Sequence, residues 1–96
     1  MTAAILTGMA LEARLARRAG LPVACAMGDT AAAVAAQRLL EDGACGIVSF
    51  GVAGGLAPDL GPGSLVVATA VADGDGAVYG ACRSWHDRLS GALPQA

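Results

Sequence analysis

The apolar positions of this chain fall in short blocks separated by glycine, proline and acidic residues. Residues 3–7, AAILT, make one block of strand length that ends at Gly8. Residues 10–19, ALEARLARRA, switch to helical spacing. Leu11 and Leu15 lie one turn apart and the arginines fall largely on another face, which predicts an amphipathic helix stopped by Gly20 and Pro22. PVACAM, residues 22–27, reads as a short second strand. The run TAAAVAAQRLLEDGA, residues 30–44, has high helical propensity, with Asp29 or Thr30 as candidate caps and Gly43 as its stop. CGIVSFG (45–51) and SLVVATAV (64–71) are the clearest strands, ADGDG (72–76) is a turn, and AVYGACR (77–83) reads as a return strand. A helix follows from SWHDRLSGAL, with Ser84 as its cap. Strand alternating with helix is the signature of an α/β fold with a mostly parallel sheet and flanking helices.

Composition sharpens this picture. The chain has 96 residues, 55% of them hydrophobic and 15% charged, so it is too apolar for a disordered segment. A parallel sheet of this size leaves strand edges bare, which predicts self-association into a homo-oligomer. The formal charge is −2 and Arg14, Arg17 and Arg18 form the one basic cluster, a balance that argues against a nucleic-acid groove. Cys25, Cys45 and Cys82 lack the close spacing of a zinc site and read as buried free thiols, with no metal implied. The apolar start is interrupted by Glu12 too early for a signal peptide. Residues 43–58 are apolar but hold five glycines and a proline, a pattern unlike a membrane span, so a cytoplasmic protein is expected.

Four places carry candidate chemistry. Gly51, Gly54 and Gly55 follow a predicted strand, where their backbone can approach a ligand or make a tight structural connection; both readings fit. The spacing FGVAGGLA contains neither a dinucleotide fingerprint nor a Walker loop, so no nucleotide cofactor is expected. Met27-Gly28-Asp29-Thr30 opens the long helix, and its free amides suit an anion unless Asp29 takes that place as a cap. Glu12, one turn into the first helix, suits either positioning of a water or sugar hydroxyl, or plain helix-dipole stabilisation at the surface. His86, beside Trp85 and Asp87, has no nucleophile partner in the pattern and reads as a surface or capping residue.

Gly8-Met9-Ala10-Leu11-Glu12, then Met27-Gly28, then SFGVAGGLAPDLGPGSLVV (49–67) resemble, in that order, the purine nucleoside phosphorylase and methylthioadenosine/S-adenosylhomocysteine nucleosidase superfamily. GMALEARLAR (8–17) together with residues 49–67 is most similar to its hopanoid-associated phosphorylase branch, whose implied substrate is adenosylhopane. The resemblance runs along essentially the whole chain. It implies cleavage of the N-glycosidic bond of a purine nucleoside, with inorganic phosphate or water as acceptor and no other cofactor. Glu12 takes the place of the glutamate that binds or activates the attacking water in nucleosidases. Gly8, Met9, Gly28, Gly51, Val52, Ala53 and Gly54 take ribose- or acceptor-side places.

The chain also departs from the family pattern. Val52 stands where the nucleosidase pattern TGSAGG has serine, and Ala26 and Asp29 replace the glycine and lysine of SGIGK. The resemblance further implies a chain roughly twice this length. Residues 1–96 would then be one truncated α/β domain, the N-terminal half of a three-layer phosphorylase/hydrolase-like fold. The base-contacting segment, the ribose-binding Met-Glu pair and the aspartate facing purine N7 would belong to the other half. On that expectation the isolated chain does little chemistry. A non-catalytic ligand-binding or assembly module with the same half-fold is the alternative, and a separate α/β function such as nucleotide binding has no motif to support it.

Overall fold

The computed structural model describes residues 2–93; residue 1 and residues 94–96, included in the single expected domain, lie outside them. The chain gathers into two compact units, Met1–Gly54 and Gly55–Ala96.

The first unit is built on three parallel strands, β1 (Ala3–Thr7), β2 (Val23–Cys25) and β3 (Gly46–Ser49), in the order β2-β1-β3. In register, β1 pairs Ile5 with Val23 on one side and with Val48 on the other. Two helices make the crossovers: α1 (Ala10–Ala16), extended by a 3₁₀ turn over Arg17–Ala19, and α2 (Asp29–Glu41). The chain moves from β1 to β2 in one direction and from β2 past β1 to β3 in the other. Right-handed crossovers therefore place α1 and α2 on opposite faces of the sheet. Ala4 and Ile5, neighbours whose side chains point to opposite faces, are both buried, as cover on both sides requires.

Small residues set the packing of α1. Its buried positions are Glu12, Ala13 and Ala16, whereas Leu11 and Leu15 are exposed. This corrects the face expected from the leucine spacing: alanine lets the helix backbone approach the sheet, and the bulkier leucines turn away. Gly20, at φ 73°, ends the 3₁₀ turn in the left-handed region and donates to the Arg17 carbonyl at 3.2 Å.

Neither expected side-chain cap of α2 forms. Its N-cap is Gly28, at φ 88° and ψ 159°, and Asp29 is already helical. The other end matches expectation. Gly43 (φ 104°) donates to Leu40 O at 3.1 Å and Ala44 to Leu39 O at 3.0 Å, the paired bonds of a Schellman stop.

The second unit holds a two-stranded antiparallel hairpin, β4 (Ala70–Ala72) with β5 (Val78–Gly80), and a helix, α3 (Arg83–Ala92). The mostly parallel sheet thus applies to β1–β3, and the later strands pair antiparallel. SLVVATAV is strand only from Ala70 onward, because β5 pairs with Ala70–Ala72 and a single further bond, Ala81 N–H to Thr69 O at 2.9 Å, ends the pairing. Cys82, not Ser84, is the N-cap of α3. All three cysteines are exposed rather than buried: Cys25 ends an edge strand, Cys45 precedes β3 and Cys82 sits at a helix start.

Candidate functional site

The strand order reverses at β1, so the carboxyl ends of β1 and β3 flank the topological switch point, where open α/β sheets leave a crevice. Two connections leave from there: Gly8–Met9, leading into α1, and the Gly-rich loop that begins at Phe50. The ladder runs one bond past the strands, with Phe50 N–H donating to Leu6 O at 3.0 Å. The loop therefore starts in a fixed position against β1.

Glu12 closes this end of the sheet. It occupies the third position of α1, where a carboxylate reaches back to the N-cap amide as in half of a capping box. Its Oε1 accepts from Met9 N–H and from Gly8 N–H, both at 3.1 Å. Its Oε2 accepts from Val52 N–H at 2.9 Å, across forty positions of sequence. The residue is 7% exposed, so the carboxylate itself is largely shielded from water. The Val52 N–H foremost, then Gly8 and Met9, hold its carboxyl below the ordinary 4.5, while burial pushes the other way. Among the described residues no cationic side chain lies within ion-pair distance of Glu12, so its negative charge is not neutralised there.

The geometry separates the expected site residues into groups. Gly8, Met9, Glu12, Gly51 and Val52 come together. A Cβ on Gly51 would lie 2.6 Å from Oε2 of Glu12, so the glycine lets the carboxylate reach the loop. Val52 contributes its backbone, and its side chain is 80% exposed. Ala53 and Gly54 continue the loop, both exposed. Gly28 does not join the hydrogen bonds of Glu12: with Asp29, Thr30, Val34 and Arg38 it lines an open groove between β2 and α2 that Glu12 does not line. No feature of the residue string marks the Val52 contact, because its donor is a backbone amide that any non-proline residue carries.

Outside this cluster the reactive groups are dispersed. Among the described residues no group of His, Cys, Asp and Glu is arranged to hold a metal ion, and no helix is long and apolar enough to cross a membrane. His86 Nδ1 lies 3.2 Å from Asp87 Oδ1, the pairing of sequence neighbours on an exposed helix. The Cys82 thiol is shifted below its ordinary value, chiefly by the Ser84 hydroxyl at 3.4 Å.

Residues 23–88 match the phosphorylase superfamily. The matched stretch includes Gly28 and residues 51–54, and Glu12 is tied to it through Val52. No curated protein and no solved structure matches the chain.

Proposed function

The chain belongs to the phosphorylase superfamily, and we propose that it forms the ribose and acceptor side of a site that cleaves the N-glycosidic bond of a purine nucleoside, with water as acceptor. The observation that carries this reading is the Glu12 carboxylate, fixed at the switch point by backbone amides from both flanking loops. An ionised carboxylate has about four acceptor positions. Two on Oε1 and one on Oε2 are filled, which leaves one on Oε2 for a proton of water.

A carboxylate in this state does two things. It orients the water, and it places negative charge beside a ribose that turns cationic as the bond to the base breaks. The bond pair leaves with the purine, the water oxygen bonds to C1′ and keeps one proton as the new hydroxyl, and its other proton passes to the departing base. Because its pKa is lowered, Glu12 acts through orientation and charge more than by holding a proton before the bond breaks. The same charge disfavours phosphate. The three amides that would make an anion nest are already occupied by a carboxylate that has no cationic partner among the described residues.

The resemblance of residues 8–17 and 49–67 supports an adenosyl compound, adenosylhopane among them, as the substrate. The purine-facing groups belong to the leaving-group side and are assigned to no residue of this chain. β2 and β3 are the outer strands of their three-stranded sheet, which supports self-association through those edges. Purine release from 5′-substituted adenosines by the native protein tests the reaction. The 5′-substituted ribose with a free 1-hydroxyl, formed at a rate unaffected by phosphate, is expected. Strict dependence on phosphate, with the 5′-substituted ribose 1-phosphate formed, would overturn the acceptor assignment, and no cleavage of any adenosyl compound would overturn the reaction.

A further inference from the structure

We propose that Gly51 is a positioning residue for Glu12: the site uses the absence of a side chain at position 51 to seat the carboxylate, rather than any contact between Gly51 and substrate. The functional consequence rests on the reading of Glu12 as the acceptor-side carboxylate; the geometric claim stands without it.

The argument begins with why position 51 is glycine. Its φ lies outside the left-handed range, so backbone conformation does not demand glycine there. Space does. A Cβ would fall 2.6 Å from Oε2, 2.9 Å from Cδ and 3.0 Å from Oε1 of Glu12, meeting the whole carboxylate face. Gly54, the next glycine along the loop, has no such neighbour within 4 Å.

The carboxylate cannot yield without giving up hydrogen bonds. Oε1 is tied to the Gly8 and Met9 amides at the start of its own helix, and Oε2 to the amide that directly follows Gly51. A methyl group at position 51 forces the carboxylate away from Val52 N–H, so the tie between α1 and the loop is lost first. The α1-side bonds loosen with it, since one rigid carboxylate makes all three. Such a change displaces the group that orients the acceptor while leaving the surfaces around it intact. It therefore lowers kcat more than it raises KM.

The test is a double-mutant cycle on the full chain with Gly51→Ala, Glu12→Ala and the pair, read by backbone amide spectra and urea unfolding. Gly51→Ala is expected to shift the amides of Gly8 and Met9 as well as Val52, moving Val52 toward its position in Glu12→Ala. It is expected to lower the urea midpoint in the natural background and to leave it unchanged where Glu12 is already alanine. Should Gly51→Ala fail to fold, the double variant folding as well as Glu12→Ala alone would carry the same conclusion. The proposal is overturned if Gly8 and Met9 keep their amide positions in Gly51→Ala, or if the destabilisation is equal in both backgrounds. None of these readouts involves nucleoside cleavage, so failure of the proposed reaction and failure of this inference are separate results.

Discussion

Two carboxylates in this molecule each accept three hydrogen bonds, and they serve different ends. Asp73, at the start of the β4–β5 turn, takes Asp75 N–H and Ala77 N–H on Oδ1 at 2.9 and 3.0 Å, and Tyr79 O–H on Oδ2 at 3.2 Å. All of these partners lie within six residues, so the bonds shape one exposed hairpin. Glu12 spends its two oxygens on different segments, the start of its own helix and the loop after β3, and does so while buried. The number of bonds is the same. What differs is the length of chain they close and the burial of the carboxylate, and of the two Glu12 stands at the reversal of strand order, the place where open α/β sheets bind ligands.

The most severe way to break that contrast is Glu12→Gln. The amide keeps one oxygen but loses the charge and presents a donor to amide donors. For the proposed cleavage, kcat is expected to fall by about 100-fold with little change in KM, measured by steady-state purine release. The same variant alters the response to acid. The native fold favours ionised Glu12, since its carboxyl is held below 4.5, chiefly by Val52 N–H. That contribution to stability is fully present above 4.5 and is lost as pH falls through the lower folded value. Urea midpoints measured from pH 6 down to about 2.5 should therefore decline less steeply in Glu12→Gln than in the natural protein.

Gly51→Ala comes next, with an expected cost of about 1–3 kcal/mol by urea unfolding, the usual range for forcing a methyl group into occupied space. Gly43→Ala tests a position where glycine serves backbone conformation instead, at φ 104°. Its expected cost is about 1 kcal/mol, and Gly8, Met9 and Val52 should keep their amide positions. Asp73→Ala is the mildest. It should change stability by no more than about 0.5 kcal/mol and move only amides of its own hairpin, measured by unfolding and amide spectra. A large global loss from Asp73→Ala would erase the distinction between the two carboxylates.

Legibility in the sequence followed how local each feature is. The strand at Ala3–Thr7, the Gly43 stop and the turn at 72–76 each depend on a few adjacent residues, and the residue string shows all of them. Caps were less legible. Asp29, Thr30 and Ser84 have the right side chains, but Gly28 and Cys82 take the N-cap positions. Strand propensity over residues 64–71 says that a ladder is favourable and cannot say that a partner exists; β5 reaches only as far as Ala70. Leu11 and Leu15 show why spacing alone mistakes a face, since the close approach of α1 selects Ala13 and Ala16.

The candidate site divides along the same line. Glu12 and the glycine loop are visible as residue types in suggestive places. Their junction through a backbone amide is a product of the β1–β3 register, which no residue identity encodes. Gly28, grouped with them by motif order, makes no bond to Glu12 and lines the groove between β2 and α2.

The most direct test of the central claim is an NMR titration of the Glu12 carboxyl carbon, followed together with the Gly8, Met9 and Val52 amides. The clamp predicts one shared transition below 4.5 in which all three amides move with the carboxyl. A Glu12 that titrates at 4.5 or above, with Val52 unresponsive, would mean that the carboxylate does not join the two loops and that the acceptor side of the site is not built this way.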